Sequence, residues 1–406
     1  MKKNTTIFYL FIIAFLFQVT MLKFIWNIES ISRIINTLYL LTVLFIFFHA
    51  IFKDYKIKVW KYYLFPGILI LSGLIINILI SSISNFTVLA QLGSTIPWIL
   101  FLLIPYFMDY KKVNFNYFWE LSYKIIVIFV FLGLIDYYII YINGNVSKYL
   151  ETPYGDFIGG SFSILHMLLD GSPHFRFYSF FAEPGTLAMF LLPFIAYSIF
   201  KKKYFGFLIL LTGFILTFSL GGYLSLLILL FLLFLYKSKK NNIIISSIFV
   251  SIIISATYFY VSNDLVQMYE SKGNSASIRE DNFSNSLTKI PASIINYPFG
   301  LPLSNSTSEM EKETNYTGSN FIPNNYLQNG GVLSFIGYLL VLIFSTKMSL
   351  KILFSKNKNY NTEAVVVAIS IISILPFLFQ RTTIWESSIF AFLFAPVLLN
   401  VLTQKS

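Results

Sequence analysis

The chain has 406 residues, 56% hydrophobic and only 12% charged, with a net charge of +11 and a mean hydropathy of +0.72. That balance excludes an ordinary soluble domain, in which the apolar share is nearer about 45–50%, and points to an all-α polytopic membrane protein. Cysteine is absent, which excludes a disulfide framework and thiolate chemistry.

Apolar runs of about 20 residues, enough to cross a ~30 Å hydrocarbon core at 1.5 Å per residue, recur along nearly the whole sequence. Twelve are counted, near 5–23, 34–52, 62–83, 86–108, 121–142, 180–200, 204–219, 222–236, 243–261, 330–346, 363–380 and 385–402. The seventh and eighth are short and are separated only by Leu220 to Gly222. Lys2-Lys3 ahead of the first run has no small-residue cleavage site after it, so that run reads as an uncleaved first helix. Neither an internal repeat nor a heptad array is visible, and residues 1–406 read as a single integral domain.

Charge orients the chain. With Met1 cytoplasmic, 20 basic residues fall on inside segments, among them Lys53, Lys111, Lys124, Lys201, Lys202, Lys203, Lys237 and Lys347. Outside the long 262–329 segment, five remain on the opposite side: Lys23, Arg33, Lys148, Arg176 and Arg381. The positive-inside rule therefore puts both termini in the cytoplasm. It also accounts for the net charge through anionic lipid headgroups, with no nucleic acid required. All four arginines, Arg33, Arg176, Arg279 and Arg381, lie on the outer side, against 25 lysines that are mostly inside. A planar, permanently charged fork suits phosphate or pyrophosphate.

Two long external segments depart from the pattern of short connections. The first, near 143–179, carries Gly144, Gly155, Gly159, Gly160 and Gly171 with Pro153 and Pro173, too many breakers for one helix. The second, near 262–329, contains Ser277-Ile-Arg-Glu280 with capping-box spacing, followed by Phe283, Leu287, Ile290 and Ile294 at helical spacing. This predicts an amphipathic helix near 277–296 along the outer membrane face, ended by Pro298 and Gly300.

The chemistry-bearing stretch is His174-Phe-Arg-Phe-Tyr-Ser-Phe-Phe-Ala-Glu-Pro-Gly185. Arg176 stands at the outer edge of the sixth helix, and Glu183 enters it just ahead of Pro184, a residue tolerated at a helix start. A carboxylate at the centre of a span costs a few kcal/mol, so Glu183 is expected to face a cavity. A structural ion pair with Arg176 is the plainer alternative. No Asp-x-Asp pair or His cluster supports a metal site, and Glu309, Glu311 and Glu313 read as a solvated run. No Gly-rich phosphate loop with a Lys is present, so no nucleotide hydrolysis is expected.

Arg176 followed by Ser179-Phe-Phe-Ala-Glu-Pro184, then Phe218-Ser219-Leu-Gly-Gly-Tyr-Leu-Ser225, resembles the bacterial O-antigen and capsular polysaccharide polymerases of the Wzy type, which are grouped with the O-antigen ligases. The likeness extends to Arg279, the Tyr297-Pro-Phe-Gly-Leu turn, and Pro323-Asn-Asn-Tyr-Leu-Gln-Asn-Gly-Gly331. Many relatives carry a His-Asn pair where this chain has Asn324-Asn325, so a base at that position is absent.

The resemblance implies a GT-C-like multi-pass fold in the bacterial cytoplasmic membrane, with its site facing the periplasm or exterior. It implies metal- and cofactor-free, inverting glycosyl transfer between two undecaprenyl-pyrophosphate-linked oligosaccharides, donor and acceptor, for O-antigen or capsule. Arg176 and Arg279, with Arg381 third, would stabilise the leaving pyrophosphate. Glu183 would orient the arginines or accept the proton of the attacking hydroxyl. Tyr178, Asn324, Asn325 and Tyr326 would contact sugar, and a chain-length regulator protein could be a partner. A ligase shares the fold and leaving group, whereas a lipid-linked oligosaccharide flippase predicts charges at mid-membrane and small external loops.

Overall fold

A computed structural model describes residues 34, 65–80, 115–143, 148–152, 155–161, 163–166, 176–181, 183–237, 284, 288, 290–300, 322–354 and 360–380. Among these the chain is mostly helical. The helices are α1 (Phe65–Ile80), α2 (Phe115–Asn143), α3 (Pro184–Phe200), α4 (Tyr204–Ile215), α5 (Leu220–Lys237), α6 (Ile322–Phe354) and α7 (Thr362–Gln380). They coincide with seven of the twelve expected apolar segments. The segments near 5–23, 86–108, 243–261 and 385–402, and that near 34–52 apart from Ile34, lie outside the described residues. Trp119–Ile140 and Gly330–Phe354 are long and apolar enough to cross a membrane, and the remaining helices are shorter and apolar.

Expectation of an all-α chain requires one correction. The first long segment folds as a four-stranded antiparallel sheet in the order β1 (Lys148–Thr152), β2 (Gly155–Gly159), β3 (Ile164–His166), β4 (Arg176–Phe177). Thr152 pairs with Gly155 and Lys148 with Gly159, so β1 and β2 form a hairpin over a two-residue connection. The glycines and prolines that prevent a long helix here are turn-formers, and they separate short runs of Tyr, Thr, Phe and Ile, which favour strands.

The described elements fall into two compact units. The first takes in residues 111–274 and 357–374, the second 275–356 together with 43–110 and the end of the chain. In the first unit α3 is apolar on nearly every face and, apart from Thr186, buried from Pro184 to Ser198, as a core helix must be. α2 buries the stripe Trp119, Tyr123, Ile126, Val130, Tyr137 and Ile140, at helical spacing. Its opposite stripe, Ile128, Phe131, Ile135 and Ile139, is exposed and no less apolar. α3 ends in a Schellman motif: Lys202 takes φ 56 and the Lys203 amide reaches back to the Ser198 carbonyl at 2.9 Å.

In the second unit, α1 and α6 approach closely through small residues. A Cβ on Gly73 would strike the Gly330 carbonyl, one on Gly337 would come within 2.6 Å of the Pro66 carbonyl, and Ser334 Oγ donates to the Ile70 carbonyl at 2.8 Å. α6 is broken at Gly330–Gly331, where Gly331 takes φ 63 and ψ −162, a region open essentially only to glycine. Residues 290–296 are helical and end in the turn 297–300, as the Pro298 and Gly300 punctuation predicts. That turn docks into the break, with the Val332 amide donating to the Pro298 carbonyl at 2.9 Å. The capping box at Ser277–Glu280 lies outside the described residues.

A methyl group at position 331 would meet the Pro298 carbonyl and the Phe299 backbone as well as a forbidden dihedral. Gly331→Ala is therefore expected to cost at least ~1–3 kcal/mol, read as a lower thermal midpoint in mild detergent, whereas an unchanged midpoint would mean that the break is not held as described.

Candidate functional site: Arg176 at a two-turn junction

Phe177 determines where Arg176 sits. Its ring is fully buried, with side-chain atoms near the Cβ positions of Gly133 on α2 (3.1 Å) and Gly213 on α4 (3.2 Å), and it meets Tyr137 edge-on at 5.8 Å. A larger residue at either glycine would take the space of the ring. The Phe177 amide donates to the Leu216 carbonyl at 2.9 Å, which fastens β4 to the end of α4.

The neighbouring Arg176 then lies over the turn that directly follows α4, and is half-buried. Nε donates to the Thr217 carbonyl at 3.1 Å and Nη2 to the Phe218 carbonyl at 3.4 Å. Other side chains close the same helix end. Tyr223 Oη donates to the Ile215 carbonyl at 2.6 Å and Thr217 Oγ1 to the Phe214 carbonyl at 2.7 Å. Carbonyls at a helix C-terminus lack intrahelical partners and carry partial negative charge, so a guanidinium there is favourable twice over. Ser219 begins α5 as its N-cap, accepting from the Gly222 amide at 3.3 Å. The Phe218-to-Ser225 motif therefore forms the junction that Arg176 grips.

Tyr178 follows β4 and is buried, so it is not an open sugar platform in this conformation. Ser179 is buried with φ 49, and its hydroxyl makes no hydrogen bond among the described residues. Glu183 occupies the N-cap position of α3 ahead of Pro184, with extended backbone and no side-chain capping bond. It is exposed, not enclosed as the sequence led us to expect.

Two features of this region were not foreseen. The β3–β4 register sets His166 directly opposite Arg176, a proximity that only strand pairing creates. Asp136, near the far end of α2, is buried against Gly160 and accepts from Ser163 Oγ at 3.3 Å, tying the turn after β2 to the helix. Asn324 and Asn325 are in the first turn of α6, and their side chains are outside the described residues. Tyr326 is buried and stacks on Tyr338 at 4.3 Å. Arg279 and Arg381 lie outside the described residues. Among the described residues no group of three or more His, Cys, Asp or Glu side chains could hold a metal ion.

The opposite end of the same unit carries the other charges. Glu120, at the start of α2, accepts from Tyr197 Oη at 3.0 Å, pairs with Lys203 and lies 3.7 Å from Lys124. Lys203 also stands over the Tyr123 ring at 4.9 Å, and Lys201 pairs with the buried Glu363 of α7 at 2.9 Å. Along α2, Glu120 and Asp136 are separated by about 24 Å of helix rise. Among the described residues of the first unit, charged side chains thus gather at two ends.

No protein-family model and no curated protein matches the chain. Truncating the plug, Phe177→Ala, is expected to cost about 3–5 kcal/mol and to loosen Arg176 with it. Thermal unfolding in detergent checks the first effect, and a variant as stable as the parent would show that Phe177 is not what holds β4.

Proposed function

We propose that this chain is an integral protein of the bacterial cytoplasmic membrane that polymerises lipid-linked glycan repeat units on the outer side. Support for the membrane comes from the outward faces of the helices: Ile128 and Phe131 on α2, Phe205 and Leu208 on α4, Ile343 and Phe354 on α6 are large, apolar and exposed. Water would penalise such surfaces and acyl chains would not. The lysine-rich end then lies in the cytoplasm and the Arg176 end outside, by the charge rule.

The observation that carries the reading is Arg176, fixed by two nitrogens at the end of the helices opposite the lysine–glutamate cluster. The reaction needs an anionic leaving group stabilised in place. An acceptor sugar hydroxyl attacks the anomeric carbon of the donor, the bond from that carbon to the pyrophosphate oxygen breaks, and the configuration inverts. The electron pair leaves with the pyrophosphate, whose charge is met by Arg176 and, on this reading, by Arg279 and Arg381. Preorganised cations of this kind supply electrostatic stabilisation without reorganisation during the step. Glu183 orients the arginines, and the hydroxyl proton passes to it or to the departing phosphate. Asn324, Asn325, Tyr326 and Tyr178 remain the sugar contacts this reading assigns, with Tyr178 and Tyr326 needing to be uncovered. Phe218-Ser225, Tyr297-Gly300 and Pro323-Gly331 stand in the order of the polymerase motifs.

Single Ala substitutions at Arg176, Arg279 and Glu183, in a host lacking the native gene and with membrane levels matched, test this on a surface-glycan gel. The parent should give a ladder, and Arg176→Ala a single-repeat band with turnover reduced on the order of 10²-fold or more. Arg176→Lys should fail as well, because a point charge cannot serve two carbonyls along one planar edge. Full ladders from the arginine variants would remove the site. A parent that makes no ladder would remove the function, and a single finished chain moved to another acceptor would indicate a ligase.

A further inference from the structure

Two non-glycine residues flanking the Arg176 grip have left-handed backbones: Ser179 (φ 49), three residues after it, and Phe218 (φ 47), whose carbonyl receives its Nη2. For a bulky residue such as Phe this conformation is an outlier, maintained only where surrounding structure dictates it. Each lies in a tight turn. The Phe181 amide closes on the Tyr178 carbonyl at 3.0 Å, and the Phe218 amide on the Ile215 carbonyl at 3.1 Å. Three bonds then join β4, which leads into the first turn, to the second: Phe177 N to Leu216 O, Arg176 Nε to Thr217 O, and Arg176 Nη2 to Phe218 O.

We infer that Phe218 is a positioning residue for Arg176, acting through its backbone: the left-handed turn at Phe218 aims two consecutive carbonyls at the Nε–Nη2 edge and so fixes the plane of the guanidinium. A right-handed residue at 218 would rotate its own carbonyl away, and Arg176 would keep its charge but lose its direction. Direction is what a preorganised cation needs. The catalytic meaning of this rests on the glycan-polymerase reading, and the geometric claim does not.

The test compares Phe218→Gly, Phe218→Asn, Phe218→Ala and Phe218→Val in the full-length, detergent-solubilised protein. All four delete the ring, so they differ mainly in tolerance of a left-handed backbone: Gly and Asn accept it, Ala resists it and Val resists it most. Phenylglyoxal, which condenses with guanidinium groups, reports how firmly Arg176 is held, and with four arginines in the chain the modified peptide is unambiguous by mass spectrometry. The Gly and Asn variants should react at Arg176 within about twofold of the parent, and the Val variant faster on the order of fivefold or more, with Ala between. Thermal melts identify a Val variant that has unfolded, in which case the Gly, Asn and Ala order decides. Equal acceleration in all variants, or none in the Ala and Val variants, overturns the inference. Labelling in the expected order with ladders unchanged supports it and counts against Arg176 in the reaction.

Discussion

Burial of Phe177 between Gly133 and Gly213 is the constraint from which the first unit is organised. Strand β4 is only two residues long, too short to be held by ladder bonds to β3 alone. The ring supplies the missing stability: a fully buried Phe is worth roughly 1.5–3 kcal/mol, and it fixes the strand to two helices at once. The glycines are what make this possible, since a Cβ at either position would come within about the distance at which carbon atoms repel. Everything at the Arg176 end inherits its placement from that contact, including the turn at Ser179 and the direction from which α3 begins.

Charged side chains among the described residues of this unit gather at its ends, and the two ends are built differently. At the Glu120 end, Lys203 and Lys124 neutralise Glu120 in partly exposed pairs that add little to stability individually, and the buried Tyr197 donates to the same carboxylate. Their effect is to place the starts of α2, α4 and α7 and the end of α3 at one level. At the other end Arg176 donates to two backbone carbonyls, Asp136 holds the turn after β2, and Glu183 stands at the mouth of α3. On the proposed reading, the Arg176 end, where two carbonyls set the direction of the guanidinium, is the end of the chemistry, and the Glu120 end serves anchorage.

The helices were legible because an apolar run of the right length has few alternatives; α1, α2, α3 and α7 begin or end within a few residues of the apolar runs. The boundary between α4 and α5 was legible to within a few residues, because the seventh and eighth runs are separated by only Leu220 to Gly222, although the Ser219 cap was not read from the sequence. The sheet was not. Ile164-Leu165-His166 and Arg176-Phe177 are too short to show alternation, and their pairing is fixed by Phe177 docking on helices distant in sequence. The Glu120 cluster was missed for a similar reason: Lys203 and Glu120 each read as ordinary boundary charges, and their meeting depends on how α2 and α4 pack. In α6 the sequence placed the helix start at Gly330, because the polar residues from Asn324 to Asn329 interrupt the apolar run, although the helix begins at Ile322 and breaks there instead.

That break gives residues 290–300 of the second unit their role. A helix interrupted at Gly330–Gly331 leaves amides and carbonyls without intrahelical partners, which in an apolar setting must be satisfied by other backbone. The Pro298 carbonyl meets one of them, at the Val332 amide, and Gly300 (φ 95) lies so close to the Gln328 carbonyl and Asn77 that a side chain there could not be accommodated. The 297–300 turn is therefore part of the helix it caps, not a loop resting on it. Because the turn directly follows helical residues 290–296, whose Ile295 is exposed, any shift of that surface helix is transmitted to the break through one carbonyl and one glycine. Two motifs separated by about 30 residues of sequence thus behave mechanically as one element, which explains why a short Tyr-Pro-Phe-Gly turn and a Gly-Gly pair belong together in this chain.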